Sequence, residues 1–276
     1  MYLRPLGKST VSNSIVHKGA KVVYSQGGGG ETVLLLHGFL EERSMWKGLT
    51  NVLRQHYQVI TVDLLGQGES ESIGYVHSMA DQAEAVYAVL QQEGIDNCLV
   101  VGHSMGGYIA LELARLQPEL ISGLVLFHST AYEDSPARKK DRERMIALVK
   151  RNKGVLIRSV IPSLFSDKTR KGLTAEIEAL VNTANGFSVQ GIVANVRGMM
   201  ERSNREDVLK SASFEKLLIH GEFDTVISEE DITAQAQLNN NIELAVVENV
   251  GHMGHLEAPE KCQSLIIEFC NRIWKN

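Results

Sequence analysis

The chain has 276 residues, 43% of them apolar, and a formal charge of −5. That length suits one large α/β domain with a full core, and the charge is too mild to point to nucleic acid or an anionic membrane as partner. Cys98, Cys262 and Cys270 are an odd number without framework spacing. Met1 to Ser14 carry no apolar leader core, and no apolar run reaches about 18 residues. Together these predict a reduced, cytoplasmic compartment.

In chain order, two short strands come first, over Ser14–His17 and Lys21–Ser25, joined at Lys18-Gly19. Gly27–Gly30 follow. A strand rather than a helix comes next, so they read as a flexible turn and not as a phosphate cradle. The apolar runs Thr32–Leu36, Gln58–Val62, Cys98–Val101, Gly123–Phe127, Lys216–Ile219 and Ile242–Val247 are mostly apolar on both faces, as parallel strands covered on both sides must be. Helical patterns lie between or after them at Ser44–Gln55, Ser78–Gln92, Met105–Leu116, Glu229–Leu238 and Pro259–Ile273. The alternation predicts an α/β fold with an eight-stranded, mostly parallel sheet flanked by helices.

The rhythm breaks once. From Ser129 to Ser211 no strand-like run occurs, and helices are predicted over Ala137–Arg151, Val155–Ser163, Thr174–Asn182 and Ser188–Glu201. This reads as a helical cap, 129–211, inserted into a core formed by 1–128 and 212–276. It would lie over the carboxyl edge of the sheet, where such sheets bind ligands. The run Arg138-Lys139-Lys140-Asp141-Arg142-Glu143-Arg144 has mixed signs and reads as a solvated helix face.

Gly102-His103-Ser104-Met105-Gly106-Gly107 stands between the strand ending at Val101 and the helix beginning at Met105. Gly-x-Ser-x-Gly in that setting is a nucleophile elbow, whose turn lifts the serine hydroxyl clear of the sheet. A serine hydroxyl needs a base beside it, and the base needs an orienting acid. Asp224 follows the strand Lys216–Ile219, and His252 follows Ile242–Val247, so both fall on the sheet edge that carries Ser104. His255 competes with His252. His252 is preferred because it comes first after the loop glycine Gly251, while His255 already leads toward the last helix. An oxyanion would need two donors. The N–H of Met105 and that of Phe39, in His37-Gly38-Phe39 after Thr32–Leu36, are placed to supply them. His37 is expected to brace this loop, and the loop Asp63–Ser70 is read as scaffolding.

With those residues in view the chain resembles the α/β-hydrolase superfamily, in its single-domain branch with a helical cap. The resemblance rests on His37-Gly38-Phe39, Asp63-x-x-Gly66-x-Gly68-x-Ser70, the Ser104 elbow, His220-Gly221-x-x-Asp224, and Gly251-His252 with Leu256-Glu257-x-Pro259. It implies Ser104 as nucleophile, His252 as base, Asp224 as its orienter, and Phe39 and Met105 as the oxyanion hole. The expected activity is hydrolysis of a small carboxylic ester, lactone or thioester through an acyl-enzyme, with no metal or organic cofactor and a small-molecule substrate as partner. A carbon–carbon bond hydrolase or lyase, or a ligand-binding receptor of the same fold, remains an alternative. Leu40, His128, Phe165, Val226 and Met253 are expected to line an enclosed apolar pocket.

Overall fold

The computed structural model describes residues 11–274; most of the segment read as lacking a leader, 1–10, lies outside the described residues. Eight strands form one sheet: β1 (Val11–His17), β2 (Ala20–Gly28), β3 (Thr32–Leu36), β4 (Gln58–Val62), β5 (Cys98–His103), β6 (Ile121–Phe127), β7 (Glu215–Gly221) and β8 (Ile242–Val247), in the order β1-β2-β4-β3-β5-β6-β7-β8. β1 and β2 pair antiparallel, as do β2 and β4. All other pairs are parallel. β2 runs on through two of the four glycines. Gly28 has φ of +82°, and a Cβ there would stand 2.1 Å from the Tyr57 carbonyl oxygen, so only glycine lets the chain turn this close to β4.

Alternate residues of each strand enter different cores. Leu34, Leu36 and Val100 pack on one face, with Val86 and Val89 of α2 (Met79–Gln92) and Ile109 and Leu113 of α3 (Met105–Leu116). Val33, Leu35, Leu99 and Val101 pack on the other face. Their partners there are Leu49 and Leu53 of α1 (Lys47–Leu53), and Ile266 and Phe269 of α10 (Pro259–Trp274). Cys98 belongs to the first layer and Cys262 and Cys270 to the second; all three are free thiols that burial pushes up to about 12.

Strand order reverses at β3, whose neighbours are β4 on one side and β5 on the other. Leu36 and Gly102 are in register at the carboxyl ends of β3 and β5. The loops leaving these two strands therefore meet at the switch point of the sheet, the usual ligand crevice of open α/β sheets.

Between β6 and β7 the chain forms α4 (Pro136–Ser163), α5 (Thr174–Gly186), α6 (Val189–Glu201) and the short α7 (Glu206–Ser211). α4 is a single run interrupted at Asn152, whose φ of −158° and ψ of 91° are not helical, so the two helices read there from sequence abut. α8 (Glu229–Ala236) follows β7, and a one-turn α9 (Gly254–Glu257) precedes α10. Among the described residues no helix is long and apolar enough to cross a membrane.

Candidate active site

Ser104 joins β5 to α3 with φ of 49° and ψ of −114°. A non-glycine residue held there stores about 1–3 kcal/mol of strain. Three hydrogen bonds maintain it. Ser104 N–H donates to the Phe127 carbonyl at 2.9 Å, and the Ser104 carbonyl accepts from Gly107 N–H at 2.9 Å and Ser129 Oγ at 2.8 Å. The flanking glycines answer to space. A Cβ on Gly106 would stand 2.3 Å from the Leu36 carbonyl oxygen, and one on Gly102 would stand 2.4 Å from the Gly106 carbonyl oxygen.

Ser104, His252 and Asp224 form a hydrogen-bonded chain. His252 Nε2 is 2.9 Å from Ser104 Oγ, and His252 Nδ1 is 2.8 Å from Asp224 Oδ2. The other carboxylate oxygen, Oδ1, accepts from Val226 N–H at 2.7 Å and Ile227 N–H at 3.1 Å, which fixes the plane of the carboxylate. Burial alone would raise the Asp224 carboxyl. The charge of His252 and the hydrogen bonds from His128 and His252 outweigh it and hold the group well below the usual carboxylate range.

His255 does not reach this chain. It is buried, its Nε2 is 3.4 Å from Glu41 Oε1, and burial pushes its imidazole down to about 4. The loop carrying His252 is held from both sides. His252 N–H donates to the Leu164 carbonyl at 2.7 Å. Glu257 accepts from the N–H groups of Gly251 and Met253 at 3.0 Å and from Ser166 N–H at 2.9 Å, bolting the loop to the segment after α4.

The loop after β3 is braced just as firmly. His37 Nε2 accepts from Leu64 N–H at 2.9 Å. Gly38 N–H donates to Glu41 Oε2 at 2.8 Å, and Leu40 N–H donates to Gln67 Oε1 at 3.1 Å. The amides on either side of Phe39 are thus committed, and Phe39 borders the cavity over Ser104. Met105 heads α3, where an N–H has no acceptor within its own helix. The Asp63 loop contributes bracing too: Asp63 accepts from Arg43 N–H at 2.8 Å and Glu69 N–H at 2.9 Å.

Ser104 and His252 open onto a cavity of about 250 Å³, bordered also by Tyr108, Met145, Val160, Leu164, Met199, Val226 and Met253. Of the five residues expected in the pocket, Val226 and Met253 line it. Leu40, His128 and Phe165 do not. Leu40 is packed into the core beneath its loop, with φ of 64° turning its side chain inward. His128 is wholly buried behind Asp224, its Nδ1 3.3 Å from Oδ2, and burial pushes it down to about 3. Phe165 is buried beneath Gly251. The charged run at the start of α4 also departs from its reading as a solvated face. Arg138, Asp141, Arg142 and Met145 recur every three or four residues, so they share one helix face, and that face borders the cavity. Lys140, Asp141, Glu143 and Arg144 are exposed, as the solvated reading expects.

His128, Asp224 and His252 offer ligand atoms within 4.8 Å of one another, a spacing a cation could bridge. The facing atoms of Asp224 and His252 already share a hydrogen bond, and neutral His128 completes the acceptor capacity of Oδ2.

A family model for the alpha/beta hydrolase fold matches residues 31–259. The chain belongs to that family. A thermophilic esterase from Thermogutta terrifontis, solved with malate bound, superposes with a TM-score of 0.89 at 30% identity over 96% of this chain and 99% of that one. An esterase from Exiguobacterium antarcticum shares the fold, with a TM-score of 0.84 at 23% identity over 94% and 99% of the two chains. Among sequence relatives, 2-hydroxy-6-oxo-6-(2'-aminophenyl)hexa-2,4-dienoic acid hydrolase of Metapseudomonas resinovorans is 26% identical over 92% of this chain and 89% of its own. The first curated relatives match more narrowly. The chain spans 46% of the dihydrolipoyllysine-residue acetyltransferase component of the acetoin cleaving system from Cupriavidus necator, at 29% identity over 59% of its own length.

Within this alpha/beta hydrolase, sequence reasoning passed over Glu41 and Arg138. Glu41 Oε2 receives both Gly38 N–H and, at 2.7 Å, His103 Nδ1. Burial would raise its carboxyl, yet the charge and hydrogen bond of His103 bring it down to about 2. No local pattern marks Glu41, because its partner lies 62 residues away. For Arg138 the helical spacing of the run was a usable signal.

Proposed function

We propose that this alpha/beta hydrolase is a serine hydrolase that cleaves a small carboxylic ester. The observation that carries the reading is the unbroken chain Ser104 Oγ, His252 Nε2, His252 Nδ1, Asp224 Oδ2, with contacts of 2.9 and 2.8 Å and a strained serine at its head. Ser104 Oγ attacks the ester carbonyl as His252 Nε2 takes its proton, and Asp224 holds the Nδ1–H tautomer and steadies the imidazolium. The oxyanion develops against the N–H groups of Phe39 and Met105. His252 then protonates the departing alcohol. A water gives its proton to the same nitrogen, attacks the acyl-enzyme, and releases the acid with Ser104 restored.

Cleavage of a carbon–carbon bond beside a carbonyl is the second reading, favoured by the near full-length similarity to the hexadienoic acid hydrolase. A screen of short esters, thioesters, lactones and vinylogous diketones separates the two. Ester turnover should fall about 10⁶-fold in Ser104→Ala, and a fluorophosphonate should label Ser104 alone. Ester turnover that survives Ser104→Ala at a tenth of the parent rate overturns the assignment.

A further inference from the structure

We infer that the preferred ester carries a free carboxylate a few bonds from the scissile carbonyl, and that Arg138 receives it. This rests on the ester-hydrolase reading of the Ser104 site.

One guanidinium on the cavity wall lacks a carboxylate partner among the described residues. Glu41 is paired with His103 at 2.7 Å. Asp141 is paired with Arg144 at 2.8 Å, out toward solvent. Buried Asp134 must serve two guanidinium groups, Arg142 at 3.0 Å and Arg202 at 2.6 Å. Arg138 has no carboxylate within 4.0 Å among the described residues; its Nη2 donates to the Val226 carbonyl at 2.7 Å. Glu133 and Asp231 border the adjoining open cleft, which Arg138 also borders, and not this cavity; neither carboxylate comes within 4.0 Å of Arg138. Of the two guanidinium groups that border the cavity, Arg142 is held by Asp134, and Arg138, half-buried in the wall beside Ser104, is the one without a carboxylate partner among the described residues.

A guanidinium presents five N–H donors in a planar fork that matches a carboxylate. One donor of Arg138 goes to Val226, which anchors the side chain and leaves the rest of the fork uncommitted. The cavity is about 250 Å³, below the usual range for drug-sized ligands, so it suits a compact substrate that spans the distance from Ser104 to Arg138. Met145, Val160, Leu164 and Met199 give the wall an apolar stretch that fits the short methylene chain between the two polar ends. Monoesters of short dicarboxylic acids have this form. Water's hydroxyl adds to the acyl carbon, the acyl C–O bond breaks, and water's remaining hydrogen leaves on the alcohol; the new carboxylic acid then loses its proton to solvent, giving a dicarboxylate.

The test compares monomethyl glutarate with methyl valerate, its neutral near-isostere, on the parent enzyme, Arg138→Gln and Arg138→Lys. The parent should favour the anionic ester in kcat/KM by about ten- to a hundredfold. Arg138→Gln should collapse that ratio through KM, Arg138→Lys should keep part of it, and added salt should shrink it. Glutarate binding to Ser104→Ala, followed by calorimetry with and without Arg138→Gln, reads the same contact without turnover. A ratio near one in the parent, or a ratio or glutarate affinity that survives Arg138→Gln, overturns the inference. If neither ester is hydrolysed while glutarate still binds through Arg138, the anion site stands and the ester-hydrolase reading falls.

Discussion

His103 Nε2 lies 3.0 Å from the backbone carbonyl oxygen of His252, so the residue just before the elbow serine supports the histidine that touches that serine. The opposite ring nitrogen meets Glu41, which in turn holds Gly38 N–H. One buried Glu41–His103 pair thereby ties together the loops after β3, β5 and β8.

Breaking that pair should cost stability in a pH-dependent way. Glu41 lies at about 2 against an ordinary value of 4.5, so its contribution is fully present above pH 4.5 and fades as pH falls toward 2. Burial would lower the His103 imidazole, but the Glu41 charge and hydrogen bond raise it overall. Its contribution is therefore present below the ordinary 6.5 and fades as pH rises through the raised value. Glu41→Gln should destabilise the fold by about 3–5 kcal/mol near pH 6, and by clearly less near pH 2.5. Urea unfolding at the two pH values measures this, and equal losses at both would contradict the ion-pair account.

Asp224→Asn should leave the fold near its parent stability and lower kcat by about 10⁴, because an amide next to Nδ1 favours the wrong tautomer of His252. The ¹⁵N chemical shifts of His252 should report that tautomer change. A nearly silent substitution would assign the orienting role to another group.

His252→Ala and His255→Ala should separate cleanly. The first removes the group facing Ser104 Oγ and should abolish ester turnover. The second opens a small void beside Glu41 and should act mainly on melting temperature. Comparable losses of kcat in the two variants would mean that His252 is not the base.

Acyl-chain preference should follow the cavity. Each methylene buried contributes about 0.8 kcal/mol until the space is filled. With 250 Å³ available, kcat/KM on neutral p-nitrophenyl esters should rise from acetate to about butyrate or hexanoate and then fall. A maximum at dodecanoate or beyond would require a groove far larger than the one between α4, α6 and the His252 loop.

Much of the architecture is legible in the sequence, for a physical reason. Val33 to Leu36 and Leu99 to Val101 are apolar at every position because each strand feeds two cores. The elbow is legible because its close backbone approaches admit only glycine at Gly102 and Gly106. Asp224 and His252 stand out because each closely follows an apolar strand. What is hidden depends on docking. Whether Arg138 faces solvent or the cavity is decided by how α4 sits on the sheet. Glu41 finds His103, and Glu257 finds Ser166, only once distant segments are packed together. His128 looks available in sequence beside β6, and is shut away by its positive φ and by Gly254, where a Cβ would stand 2.4 Å from its Nε2.

The division of the three thiols between the two layers gives each face of the sheet its own chemical reporter. Cys98 faces the α2 and α3 side, and Cys262 and Cys270 ride on α10 on the other. A thiol with its ionisation pushed up to about 12 and no path to solvent is inert toward alkylating dyes while the fold is closed. Alkylation therefore counts openings, and the order in which the cysteines become modified tells which helical layer lifts from the sheet first.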